Sequence, residues 1–250
     1  MRARRRFGQN FLRDENIIAA IIVAISPAAN DKIIEIGPGD GALTKHLLTS
    51  QASVTAIEID RDCASLLRQK FSGNHLNLLV NDVLREDFSQ FGDSIRLVGN
   101  LPYNISTPFL LKMSDENKCI KDAHLMLQKE VGERLCAPIG SAAYGRLSVS
   151  VGRLFATKLL LEAPPSAFAP SPKVQSAMLM FTPLKNPPPW SPTAEKVLRA
   201  AFQSRRKTLA NALKSFAPDW FTAPVHGLRR AETLSALDFS RLAAHIENPP

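Results

Sequence analysis

The chain has 250 residues, 45% of them hydrophobic, which is enough for one full core and a small accessory domain. Its apolar segments are short and broken by charges, so none approaches the roughly 20 residues of a membrane span. The net charge is +8 and the pI about 9.6, a balance that favours a polyanionic partner without naming one.

The start, MRARRRFGQN, has no apolar stretch behind its arginines and does not read as a secretory signal. An Arg-rich transit peptide is the alternative there, opposed by FGQNFL following at once. Lys32 to Ile36 (KIIEI) then forms a β-rich run that ends in the glycine cluster GPGDG. A helical pattern covers Ala42 to Leu48, a strand Ser53 to Ile59, and a helix Asp62 to Phe71 with Asp62 as its N-cap. Further buried strands are expected at Leu76 to Val80, Ile95 to Val98 and His124 to Gln128. Strands alternating with helices predict βαβ units and a mainly parallel sheet. Lys158 to Leu161 and Ala177 to Phe181 have the pattern of an antiparallel hairpin at its edge.

Composition shifts at Pro183, where PLKNPPPWSP can continue neither a helix nor a central strand. Helical periodicity resumes over Ala194 to Phe216, and shorter helices are expected at Val225 to Arg230 and Phe239 to Ile246. The expected organisation is an α/β domain over residues 1–184 and a small all-helical domain over 185–250.

Charge is distributed unevenly. Arg2, Arg4, Arg5, Arg6 and Arg13 precede the first acidic residue, and Lys196, Arg199, Arg205, Arg206, Lys207 and Lys214 lie in a stretch with no acid. One-signed patches of this kind read as phosphate contacts. Cys63, Cys119 and Cys136 have no CxxC spacing and no nearby histidine. They suggest neither a disulfide framework nor a zinc site, and read as small packing residues in a reducing cytoplasm.

Gly37-Pro38-Gly39-Asp40-Gly41 lies where the first strand of the sheet gives way to a helix, and glycines there let a ligand approach the backbone. Glu58 is spaced to grip ribose hydroxyls at the end of the next strand. Taken alone this is equally a dinucleotide fingerprint. Glu35 tilts the reading toward S-adenosylmethionine, because a carboxylate suits an ammonium and a sulfonium and repels a pyrophosphate. Asp82, at the end of the third strand, is placed to bind an adenine amine, or else to cap a turn.

Asn100-Leu101-Pro102-Tyr103 follows the fourth strand, at the sheet edge where α/β proteins bind ligands. The N6 lone pair of adenine is delocalised and weakly nucleophilic. The Asn100 side-chain oxygen and the Leu101 carbonyl can both accept hydrogen bonds from the amine protons, aim the lone pair at a sulfonium methyl, and stabilise the positive charge that reaches nitrogen. Pro102 fixes the turn, and Tyr103 offers a face for the base. As a bare tetrapeptide, NLPY is equally an Asn-x-Pro turn.

RRFGQNFL, EIGPGDGALT, AIEIDRD, GNLPYNISTPFL, QKEVGERL, AAYGRLSV, FAPSPKVQSA and FQSRRKTLANAL together resemble the bacterial small-subunit ribosomal RNA adenine N6,N6-dimethyltransferases, the kasugamycin-sensitivity family. The resemblance runs from residue 5 to about 213. It implies a Rossmann-like class I methyltransferase domain followed by a helical RNA-binding domain. It also implies S-adenosylmethionine as cofactor, and dimethylation of two adjacent adenosines in a hairpin loop near the 3′ end of 16S rRNA, within the 30S particle. By the same resemblance Asn10 and Leu12 close over the cofactor, Gly37 and Gly39 lie against it, Glu58 holds its ribose and Asp82 its adenine amine. Asn100 touches both cofactor and target, and Phe168 sandwiches the target adenine opposite Tyr103; read alone, Phe168 is a core aromatic. Arg205, Arg206 and Lys207 contact rRNA phosphates. The expected protein is a cytoplasmic monomer with no metal and no membrane partner.

Three other readings remain open on sequence. A macrolide-resistance type of methyltransferase acting on 23S rRNA shares the chemistry, a non-catalytic ribosome assembly factor shares the fold, and a nicotinamide dehydrogenase shares the glycine loop.

Overall fold

The computed structural model describes residues 9–73 and 76–249. Arg2, Arg4, Arg5 and Arg6 of the expected basic patch lie outside the described residues. The chain divides into two compact units, Met1–Gly132 with Ala156–Pro183, and Glu133–Phe155 with Leu184–Pro250. The second unit therefore takes in an internal segment that a single boundary at residue 184 does not anticipate.

The first unit opens with a two-residue strand, β1 (Phe11–Leu12), and a helix, α1 (Glu15–Ile25). Asp14 caps α1 by accepting from the amides of Asn16 and Ile17, and Ile18, Ile21 and Ile25 fall buried on one face at helical spacing. There follow β2 (Lys32–Ile36), α2 (Thr44–Thr49), β3 (Ser53–Ile57), α3 (Arg61–Lys70) and β4 (Leu76–Leu79). Two short 3-10 turns lead to β5 (Ile95–Asn100), then come α4 (Ser106–Asp115), β6 (Ile120–Gln128) and α5 (Lys129–Leu135), after which α6 (Arg146–Gly152) belongs to the second unit. The chain returns through β7 (Phe155–Ala163), a short β8 (Phe168–Ala169) and β9 (Ser176–Pro183). Asp60 caps α3, accepting from the Asp62 amide at 3.0 Å, so the expected cap at Asp62 moves two residues toward β3.

Seven strands form one sheet in the order β4-β3-β2-β5-β6-β9-β7. β4, β3, β2, β5 and β6 pair in parallel, and β9 runs antiparallel to β6 with Gln128 opposite Ser176. The central strands KIIEI and SVTAI read as near-continuous apolar runs, as strands covered on both faces do. Lys158 to Leu161 and Ala177 to Phe181 fall in β7 and β9, neighbours at one edge of the sheet. From β2 the chain winds outward through β3 and β4, then resumes on the other side of β2 at β5. That reversal opens a crevice beyond the carboxyl ends of β2 and β5.

In the second unit, α7 (Pro192–Gln203), α8 (Leu209–Ala212) and α9 (Ala236–Glu247) surround a core that includes Val197, Leu198, Phe239 and Leu242. Ser191 caps α7 ahead of Pro192, and Ser235 with Asp238 forms a capping box for α9. The long helix expected over Ala194 to Phe216 is broken by a turn in which the Lys207 amide bonds the Ser204 carbonyl. Val225 to Arg230 forms turns and not a helix. Pro224 precedes it, and Gly227 packs so closely on Trp220 that a Cβ there would come within 2.8 Å of the ring.

Candidate active site

The glycine loop after β2 has Gly37 and Gly39 at φ +61° and +60°, a backbone conformation that a side chain disfavours. At Gly39 a Cβ would also meet the Phe11 ring at 2.9 Å, so only glycine lets β1 lie over the loop. Glu58, 4% exposed at the end of β3, locks the loop from below. One carboxylate oxygen accepts from the Gly39 amide at 3.0 Å and the other from the Asp60 amide at 2.8 Å. Burial raises the Glu58 pKa, and these two amides oppose that shift.

Glu35 lies deeper, 2% exposed, with Oε2 buried and lacking a hydrogen-bond partner. Burial pushes its pKa up to about 7; the Glu58 carboxylate adds to the effect, and contacts from Thr44 oppose it. A buried acceptor left without a donor is costly, and it marks a place where a cation would be welcome.

At the end of β5 the Asn100 side-chain amide donates from Nδ2 to the Asn10 carbonyl at 2.9 Å. That bond sets the amide orientation: flipping it would put oxygen against oxygen. Oδ1 is therefore the atom left for a ligand. The Leu101 amide bonds the Met126 carbonyl at 3.1 Å, while the Leu101 carbonyl accepts no hydrogen bond among the described residues. Tyr103, half-buried, is held through its hydroxyl by Ser176 at 2.8 Å, and burial raises its pKa. Asp82 caps the 3-10 turn Val83–Arg85 by accepting from the Leu84 amide at 3.0 Å.

One cleft, about 1160 Å³ when counted out to its open mouth, gathers these groups. Its lining includes Asn10, Leu12, Gly37, Gly39, Glu58 and Asp82. Asn100, Leu101, Pro102, Tyr103 and Glu35 line it too. Phe168 is the exception. It pairs with Leu12 between β1 and β8, is 4% exposed, and packs in the core with Ile18, Ile21 and Met178, away from the cleft lining. Tyr103 lines the cleft and Phe168 does not, so Phe168 sits as its apolar bulk alone would place it.

Among the expected phosphate contacts, Arg206 and Lys207 are exposed. Arg205 instead donates to the Ala142 carbonyl at 2.7 Å and lies 3.8 Å from Glu232. Arg13 pairs with Asp40 at 2.5 Å. Cys63 and Cys119 are buried as packing residues, while Cys136 is exposed. Sequence reasoning gave no role to Gln9, which lines the cleft and donates to Asp60 at 3.0 Å, or to Ser176. Both lie inside quoted motifs, FGQNFL and FAPSPKVQSA, and that was the available signal.

A dinucleotide-binding sheet in its usual order has no antiparallel strand inserted beside its fifth strand, as β9 is here. The sheet order and the cleft define a Rossmann-like fold of the S-adenosylmethionine-dependent methyltransferases. Comparison with known proteins agrees. The chain belongs to the ribosomal RNA adenine dimethylase family, which residues 1–247 match, and this removes the dehydrogenase reading. It is 47% identical, over 98% of each chain, to the ribosomal RNA small subunit methyltransferase A of Legionella pneumophila (strain Corby). The protein of the same name from Thiobacillus denitrificans is 44% identical over 97% of each chain. A crystal structure of a dimethyladenosine transferase from Plasmodium falciparum superposes with a TM-score of 0.81 at 26% identity, covering 95% of this chain and 97% of that one. The 23S rRNA methyltransferase ErmE has the same fold, with a TM-score of 0.75 at 24% identity over 96% of this chain and all of the other.

Among the described residues no helix is long and apolar enough to cross a membrane, and no group of His, Cys, Asp and Glu is arranged to hold a metal.

Proposed function

We propose that this enzyme dimethylates N6 of two adjacent adenosines in the hairpin loop near the 3′ end of 16S rRNA, within the 30S particle, using S-adenosylmethionine. It acts as a cytoplasmic monomer in small-subunit biogenesis. The observation that carries the reading is the Asn100–Asn10 hydrogen bond, which leaves Asn100 Oδ1 and the Leu101 carbonyl as two acceptors at the cleft.

The cleft suits the cofactor. The unpartnered Glu35 Oε2 fits an ammonium, and the Cβ-free loop at Gly37 and Gly39 leaves room for the methionine part. Glu58 keeps lone pairs for ribose hydroxyls beyond its two backbone bonds, and Asp82 Oδ2, which faces Arg85 at 3.9 Å, keeps lone pairs for the adenine amine. The bound cofactor supplies an electrophilic methyl group on a sulfonium.

Asn100 Oδ1 and the Leu101 carbonyl accept hydrogen bonds from the N6 protons, which stay on nitrogen, and tilt the amine toward a tetrahedral geometry. They then stabilise the charge that develops on it, at roughly 3 kcal/mol per acceptor. Once methylated, the nitrogen is acidic and sheds its proton without a strong base. Tyr103 gives the base a face, with its ring held by Ser176. A hairpin loop presents unpaired bases, which lowers the cost of bringing N6 into a cleft.

The 47% and 44% relatives named for the small subunit favour 16S over 23S rRNA. The test is transfer of labelled methyl groups to unmethylated 30S particles and, separately, to 50S particles. Label in 30S alone supports the proposal. Label in 50S would assign the macrolide-resistance activity instead.

A further inference from the structure

The second unit carries 13 Lys and Arg against 6 Asp and Glu, a net +7, so nearly all of the chain's +8 resides there. The two most exposed large apolar side chains within it are Phe221, fully exposed, and Leu228, 71% exposed, ahead of Ile139 and Leu237. The Trp220 ring packs on Gly227, so Phe221 and Leu228, each the next residue in the chain, are anchored to one contact. The turn that presents Phe221 is tied down. The Asp219 carboxylate accepts from the Phe221 amide at 3.0 Å and from the Thr222 hydroxyl at 2.9 Å, and a His245 ring nitrogen lies 3.1 Å from the Asp219 carbonyl.

Cations are brought to the same place. The amides of Leu209 and Ala210 bond the carbonyls of Arg229 and Gly227 at 2.8 and 2.9 Å. This sets the turn bearing exposed Arg206 and Lys207 alongside the segment bearing exposed Arg230.

We propose that Phe221, flanked by Leu228, is a stacking platform for an unpaired base of single-stranded RNA whose phosphates meet Arg206, Lys207 and Arg230. The inference rests on the RNA substrate proposed above and locates a contact outside the catalytic cleft. Charge selects the occupant: an exposed aromatic interleaved with cations is built for a strand with accessible π-faces, and a duplex offers none. Asp219, the acid beside it, is engaged in holding the turn.

The test uses the full chain and protein-free small-subunit rRNA, with a fully paired RNA duplex as control. Phe221→Ala weakens rRNA binding about 5- to 100-fold, Phe221→Trp retains it, and the salt dependence keeps its slope because no phosphate contact is lost. Duplex binding is unchanged. Wild-type affinity of Phe221→Ala for rRNA, or an equal loss toward the duplex, overturns the proposal. Methyl transfer by the wild-type chain, read on 30S particles in parallel, separates the two readings. Its absence contradicts the proposed activity, whereas the platform stands or falls on the binding ratio.

Discussion

Ser176, the first residue of β9, holds the Tyr103 hydroxyl at 2.8 Å across 73 positions of sequence. The pairing ties the antiparallel strand that sets this sheet apart to the residue proposed to face the base. Burial raises the Tyr103 pKa, so the phenol stays protonated and the bond persists at neutral pH. Ser176→Ala and Tyr103→Phe should each lower turnover by roughly fivefold, the worth of about one hydrogen bond. The double variant should be no worse than either single one, and Ser176→Thr should recover activity. Multiplying losses in the double variant would show that the two residues act separately.

Glu35 predicts proton-linked cofactor binding. Its pKa of about 7 lies above the usual 4.5, so below neutrality the free enzyme holds a proton there. A cationic ligand favours the carboxylate and expels that proton. Cofactor affinity should therefore rise with pH, approaching tenfold per unit, and level off above about 7. Glu35→Gln should flatten the profile, which calorimetric titration across this range would read. A wild-type profile without slope would contradict the assignment.

Far from the cleft, near the amino ends of β2 and β5, Arg96 bridges Asp122 at 2.9 Å and Asp31 at 2.7 Å, with Lys121 on Asp31 at 2.8 Å. Burial alone would raise the Asp31 pKa. Lys121, the Ala28 amide and Arg96 outweigh it and lower the value from 3.8 to about 2. A folded-state pKa below the unfolded one gives stability that is present above pH 3.8 and lost as pH falls through about 2. The loss is on the order of 2 kcal/mol. Denaturant melts of wild type and Asp31→Asn should show this acid-dependent step in the wild type only. An identical acid dependence would count against the network.

The basic turn of the second unit should separate by residue. Arg206→Ala and Lys207→Ala should each lower the salt slope of rRNA binding by up to about 0.7, the value for one phosphate contact on a single strand. Arg205→Ala should instead lower the melting temperature, since Arg205 holds the Ala142 and Ser141 carbonyls and is only partly exposed; about 1 kcal/mol is expected. Equal salt-slope changes at all three positions would refute the division.

The strands of the sheet were legible because a buried parallel strand is written as a contiguous apolar run. GPGDG and NLPY were legible because each is a contiguous local motif at the carboxyl end of a strand. What depends on meetings across long sequence distance was not. Phe168 sits in the core because β8 pairs with β1, and residues 133–155 join the helical unit through packing that no local pattern records. Arg205 looked like its neighbours Arg206 and Lys207 until the carbonyls of a segment more than 60 residues away engaged it. The helix expected after Val225 failed because the fit of Gly227 against Trp220 overrides a weak periodicity.

Single-turnover methyl transfer to 30S particles by Asn100→Ala, with cofactor and RNA affinities measured beside it, tests the central claim most directly. The chemical step should slow by at least about a hundredfold while RNA affinity is largely kept. Mass spectrometry of the loop should find both adenines dimethylated by wild type and unmodified by the variant. Wild-type turnover in Asn100→Ala would contradict the account.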